Sequence, residues 1–141
     1  MTEPSKGAYS ISTDKTRLDA EAIHDYLCNH SYWAKGRTME QVLRTIDHSL
    51  CFGVYHNREQ IGFARVITDY TTFSYLADVY ILEKHRNQGL SNWLMEVIMQ
   101  HPQLQGMRRF MLATRDAHKL YEKFGFKSVS KPERWMEIFK E

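Results

Sequence analysis

Cysteine is scarce in this chain. Cys28 and Cys51 are the only two, and they lack the paired spacing of a zinc site or a redox motif. With no export signal ahead of them, they are expected to stay reduced. No apolar run approaches the ~20 residues that span a bilayer, and residues 1–10 are polar, without the apolar block of a signal peptide. The expectation is a cytoplasmic protein with no membrane contact. Neither sign of charge dominates: 19 Lys and Arg face 17 Asp and Glu, a net +2, so no strong field draws the molecule to nucleic acid. Internal repeats, low-complexity stretches and Pro/Gly-rich linkers are also missing, so nothing divides residues 1–141, which read as a single domain. The seven histidines show no ligand spacing, and no metal is expected.

What is present is periodic. A short strand is expected over 9–12, and Ile23, Tyr26 and Leu27 carry helical spacing over 19–29. Thr38 and Gln41 form the pattern of a capping box ahead of the apolar stripe Met39, Val42, Leu43 and Ile46. Strands over 50–55 and 60–68 flank the polar turn His56-Asn57-Arg58-Glu59, a hairpin signal. A strand over 72–82 alternates Phe73, Tyr75, Ala77, Val79 and Ile81 against Leu76, Asp78, Tyr80 and Leu82, with Asp78 the odd member of an apolar face. Leu90, Trp93, Leu94, Val97 and Ile98 give an amphipathic helix that ends at His101-Pro102. A strand over 109–113, a helical stripe of Ala117, Leu120, Tyr121 and Phe124 closed by Gly125, and a last strand over 135–139 complete the reading. This order predicts an α/β (α+β) fold, a mixed, mostly antiparallel sheet of about six or seven strands with helices on both faces.

The segment between the long strand and the amphipathic helix carries chemistry. A turn that opens a helix aims backbone N–H groups along the positive end of its dipole, which is a place for a phosphate. Gly89, without a Cβ, lets such a group approach closely, and Arg86 and Lys84 can add charge; an isolated glycine also serves simply to make a tight turn.

The turn Arg86-Asn87-Gln88-Gly89-Leu90-Ser91 resembles the pyrophosphate loop of the GNAT superfamily of N-acetyltransferases, Arg/Gln-x-x-Gly-x-Gly/Ala, with Ser91 in place of the last small residue. A second segment, from Ala117 through Leu120 and Tyr121 to Gly125 and Phe126, resembles the family's Ala-x-x-Leu-Tyr-x-x-x-Gly-Phe. Thr114 stands where the family usually has an Asn that contacts the pantetheine arm. The resemblance covers residues 9–139 and implies the GNAT fold, whose fourth and fifth strands splay apart to admit pantetheine. It also implies acetyl-CoA as co-substrate. The cofactor contacts it implies are the strand backbone at Val79, Tyr80 and Ile81, the loop Arg86, Asn87, Gln88, Gly89, Leu90 and Ser91, and Thr114, Ala117 and Tyr121.

Acetyl transfer from a thioester to an amine needs a neutral amine, a polarised carbonyl and a stabilised leaving thiolate. A strand N–H near Val79 or Ile81 can polarise the carbonyl. Tyr121, by resemblance the tyrosine beside the sulfur, is the expected acid; by its place on the stripe it also reads as a core residue. Asp78 is the leading candidate for a base that also holds the substrate ammonium, although it can equally pair with an arginine such as Arg65. Glu83 is the runner-up, and a water chain can replace a single base. The acceptor pocket is expected behind residues 30–37, where Tyr32 and Trp33 can stack on a substrate, cage a cation, or only cover the sheet. Three functions stay open: N-acetylation of a small primary amine, which is favoured; a non-catalytic acyl-CoA-binding module; and acetylation of protein lysines or N-termini. Family members are often homodimers, but the sequence carries no interface signal of its own.

Overall fold

The computed structural model describes residues 3–141. Six strands form one sheet in sequential order: β1 (Ser5–Lys6), β2 (Tyr9–Ser12), β3 (Leu50–His56), β4 (Glu59–Thr68), β5 (Phe73–Ile81) and β6 (Arg109–Leu112). Every neighbouring pair is antiparallel except the last, where β5 and β6 run parallel. The β3–β4 hairpin turns through Asn57, which takes a left-handed φ of 55°, a conformation asparagine tolerates.

Helices cover both faces. α1 (Ala20–His30) and α2 (Met39–Asp47) set Ile23, Leu27 and Val42 against Cys51, Phe63 and Tyr80 on one side. α2 starts where the sequence places it, because the Thr38 hydroxyl accepts from the Gln41 N–H and the Gln41 side chain accepts from the Thr38 N–H. On the other face α3 (Leu90–Gln100) buries Leu94, Met95 and Ile98 on Phe52, Val54, Ile61 and Val66, and α4 (His118–Glu122) adds Tyr121 and Leu120 to that core. Each fully buried Leu or Ile contributes on the order of 1.5–3 kcal/mol of apolar transfer.

Two departures from the sequence reading matter for function. The first is a bulge. Phe63 pairs with Tyr80 but Arg65 pairs with Ala77, so β5 carries one residue more than β4 between those pairs, and Asp78 there has φ of 54°. The extra residue resets the alternation: Leu76 packs in the α3 core, whereas Asp78 reaches Arg65 and Tyr80 packs under α1 and α2. The expected single face of Leu76, Asp78 and Tyr80 is therefore broken. The second is the end of the chain. The strand expected over 135–139 does not form; Met136 and Ile138 are 96% and 93% exposed, and Trp135 instead lies beside the Arg109 guanidinium, 5.2 Å from its ring centre. An apolar run suits a strand, but a strand also needs a partner, and the outer edge of β6 stays unpaired among the described residues.

The first two residues of the sheet, β1, shift the strand count by one, so the pair expected to splay as fourth and fifth is β5 and β6. They pair only from Phe73–Arg109 to Leu76–Leu112. Past Leu76, where the bulge begins, β5 runs on to Ile81 without β6 beside it, and the sheet opens into a wedge.

Candidate active site

The wedge is a cavity of about 680 Å³. Ala77 to Val79 form one wall, Ala113, Thr114, Ala117 and Tyr121 the other, and Tyr32 and Trp33 close the side toward α1. The sequence-predicted residues Tyr32, Trp33, Asp78, Val79, Thr114, Ala117 and Tyr121 thus meet at one place.

Asp78 dominates its electrostatics. Its side chain is buried, and its carboxylate accepts three hydrogen bonds: from Trp33 Nε1 to Oδ1 at 2.8 Å, and from Arg37 Nη1 and Arg65 Nε to Oδ2, both at 2.6 Å. Burial pushes this carboxyl up, but the Arg65 charge and hydrogen bond, with Arg37 and the Trp33 N–H, outweigh it and hold Asp78 below the usual carboxylate value. A carboxylate so engaged is a poor proton acceptor. The geometry therefore runs against the reading of Asp78 as a free base and ammonium holder, and makes it the anchor that fixes Trp33, Arg37 and Arg65. The indole of Trp33 is pinned from behind, and the Tyr32 hydroxyl accepts from the Arg115 N–H at 3.0 Å while the Arg115 guanidinium covers the Tyr32 ring at 3.8 Å.

Tyr121 serves the core and the cavity at once. Its ring packs edge-on to Phe126 at 6.1 Å and is largely buried, its hydroxyl finds no hydrogen-bond partner among the described residues, and the side chain lines the wedge. Burial first, then the neighbouring Tyr32 and Asp116, push its phenol up to about 12. It is therefore protonated at neutral pH. Thr114 uses its hydroxyl to accept from the Ala117 N–H at 3.0 Å and so holds the start of α4.

At the other end of β5 the predicted turn is built as a cradle. A single 3₁₀ turn over Glu83–His85 leads to Arg86, then Asn87 and Gly89 take left-handed φ of 65° and 79°, and α3 starts at Leu90. Gly89 is the N-cap, with no side-chain cap, and the first helical bond runs from the Trp93 N–H to the Gly89 carbonyl. The N–H groups of Leu90, Ser91 and Asn92 consequently have no partner among the described residues, which leaves a concentrated positive dipole end suited to a phosphate. A Cβ placed on Gly89 would meet no protein atom within 4 Å, so open space lies above the turn. The side chains mostly hold the cradle together. Arg86 Nε donates to the Ile81 carbonyl at 2.8 Å and its Nη2 to the Tyr26 hydroxyl, and Gln88 bonds Tyr9 and the His85 carbonyl. Arg86 thus ties the turn to the end of β5 instead of reaching out as a free charge. Leu90 and Tyr80 are buried, so only their backbones are available to a ligand.

Sequence reasoning missed Arg37 as a partner of Asp78 and Arg115 as the cover of Tyr32. Arg65 did leave a signal, a lone charge inside the apolar run Ile61–Ile67 opposite the lone acid of the next strand. Arg37 left none, since it sits in a connecting loop just before a helix cap.

A diverging pair of strands and an anion cradle at a helix start are thus carried by the same strand, β5, and comparison with known proteins shows the family. The model of the acetyltransferase (GNAT) family matches residues 20–126. A Gibberella zeae protein described as a candidate acetyltransferase, FG08082, is 34% identical over an alignment covering 87% of this chain and 82% of its own. A crystal structure from Xanthomonas campestris pv. campestris, described as a candidate acetyltransferase of the GNAT family, shares 47% identity and superposes with a TM-score of 0.93 over 99% of this chain and 96% of that one. A Clostridium acetobutylicum protein described as a candidate acetyltransferase, its crystal structure determined with acetyl-CoA, has the same fold, with a TM-score of 0.69 at 13% identity over 93% of this chain and 94% of its own. The chain belongs to the GNAT acetyltransferase family.

Proposed function

We propose that this protein transfers the acetyl group of acetyl-CoA to the primary amine of a small molecule by direct attack. One observation carries the reading: β5 has the wedge lined by Tyr121 beside its Ala77–Val79 stretch, and just past its end at Ile81 the turn leads into the unpaired N–H groups at the start of α3. The residues fit the co-substrate. The N–H groups that follow Gly89 suit its pyrophosphate, the edge of β5 from Ala77 to Ile81 suits the amides of its pantetheine arm, and the wedge suits its thioester. When bound, acetyl-CoA supplies a thioester carbonyl open to attack by an amine.

The chain's part is positioning and charge management. A free N–H on the open edge of β5 polarises the carbonyl without reorganising. Tyr121, its phenol raised by burial and so protonated at neutral pH, donates a hydrogen bond toward the sulfur as the carbon–sulfur bond breaks. The balance closes through the attacking nitrogen: it forms the new C–N bond, gives up a proton, and that proton ends on the departing thiolate through the Tyr121 hydroxyl or water. Asp78 takes no proton in this scheme and keeps the acceptor wall in shape. A concave cavity of about 680 Å³ flanked by Tyr32 and Trp33 supports a small acceptor over a protein surface.

Tyr121→Phe tests the assignment, since it keeps the ring in the core and removes only the hydroxyl. Turnover is expected to fall about 100-fold with acetyl-CoA affinity unchanged, read by thiol release and by calorimetric titration. Unchanged turnover would return Tyr121 to a purely structural role.

A further inference from the structure

The inner wall of the cavity carries more positive charge than it can neutralise. Arg37 and Arg65 share a single carboxylate oxygen, Oδ2 of Asp78, and all three side chains are at least four-fifths buried. Arg65 also donates from Nη1 to the Ser49 hydroxyl at 3.2 Å. These bonds leave Nε and Nη2 of Arg37 and Nη2 of Arg65 without a partner among the described residues. Two guanidiniums against one carboxylate make a surplus of one positive charge beside the thioester end of the wedge. At the mouth the other facing pair cancels itself, because Arg115 and Asp116 lie 3.5 Å apart and both are mostly exposed. A buried surplus cation is costly unless an anion completes it.

From this we infer that the acceptor is a small amine that also carries a carboxylate, bound by the free donors of Arg37 and Arg65. The inference rests on the N-acetyltransfer reading and names its substrate class. A carboxylate matches the count, because one negative charge neutralises the wall, whereas a phosphate dianion reverses its sign. It also matches the shape, since a guanidinium presents paired donors to the two oxygens of a carboxylate. The same wall repels a substrate whose only charge is an ammonium, which weighs against polyamines and peptide lysines. The pyrophosphate of the co-substrate does not meet this need, because its cradle is the turn at Gly89, beyond the far end of β5.

The test is thiol release from acetyl-CoA with matched acceptors: amino acids, their decarboxylated counterparts, phosphorylated amino alcohols and a lysine-containing peptide. For the wild-type protein the carboxylate-bearing member of at least one pair is expected to exceed its decarboxylated partner by about 100-fold in kcat/KM. Arg37→Met is expected to collapse that ratio to within a few-fold, and Arg37→Lys to retain part of it, with retained acetyl-CoA binding showing that each variant is folded. Equal or faster release with the decarboxylated, phosphorylated or peptide acceptors would overturn the carboxylate inference and leave N-acetyltransfer standing. No release from any acceptor by protein that binds acetyl-CoA would overturn both.

Discussion

An Asp78→Asn variant is expected to lose about 3 kcal/mol of folding stability, the scale on which breaking a buried ion pair leaves its partner uncompensated. The substitution is nearly isosteric, and asparagine accepts the left-handed φ of 54° at this bulge, so the backbone is not what changes. What changes is that Arg37 and Arg65 lose their shared counter-ion while remaining largely buried, and an amide N–H₂ that replaces either oxygen meets donors where an acceptor is required. Urea unfolding measures the loss; a difference below about 1 kcal/mol would show that water reaches and solvates both guanidiniums. The pH dependence has a fixed sign. The folded carboxyl lies below its unfolded value of about 3.9, so its contribution is complete above that value and is lost as pH falls through the lower, folded one. The gap between wild type and Asp78→Asn is therefore expected to be constant from pH 5 to 8 and to narrow below pH 4.

Gly89→Val is expected to weaken acetyl-CoA binding by more than 100-fold. Two effects combine there. A β-branched residue at a φ of 79° is strained by about 1–3 kcal/mol, which disturbs the turn that aims the first N–H groups of α3. Its side chain also enters the open space above the turn, where no protein atom lies within 4 Å and where the pyrophosphate is expected to sit. Gly89→Ala keeps part of the strain with less bulk and is expected to retain measurable binding. Calorimetric titration separates the cases, and an affinity for Gly89→Val within threefold of wild type would remove the phosphates from this turn.

Local chemistry made much of the fold legible. The Thr38–Gln41 capping box, the stripe from Leu90 to Ile98 and the hairpin around Asn57 are each decided within a few residues, and all three stand as the sequence implies. Gly89 and Tyr121 stood out through their place in spaced patterns; Gly89 caps α3 with a left-handed φ and Tyr121 lines the wedge. The bulge at Asp78 was not legible, because one inserted residue in a strand leaves no mark on composition and shifts the alternation only after the fact. It is also what turns Asp78 toward Arg65 and away from the face that holds Leu76. The pairing of Arg37 and Trp33 with Asp78 joins a loop to a strand more than 40 positions on, a relation only the tertiary structure sets. The segment 135–139 shows the converse, an apolar run that stays unpaired although the outer edge of β6 is open.

The most direct measurement is calorimetric titration of the purified protein with acetyl-CoA, followed in the same preparation by thiol release on adding a panel of primary amines that includes amino acids. Saturable binding, with release only when an amine is present, is the result expected of an N-acetyltransferase with its pyrophosphate cradle at Gly89 and its acid at Tyr121. Failure to bind acetyl-CoA, or binding with no release from any amine, would contradict it.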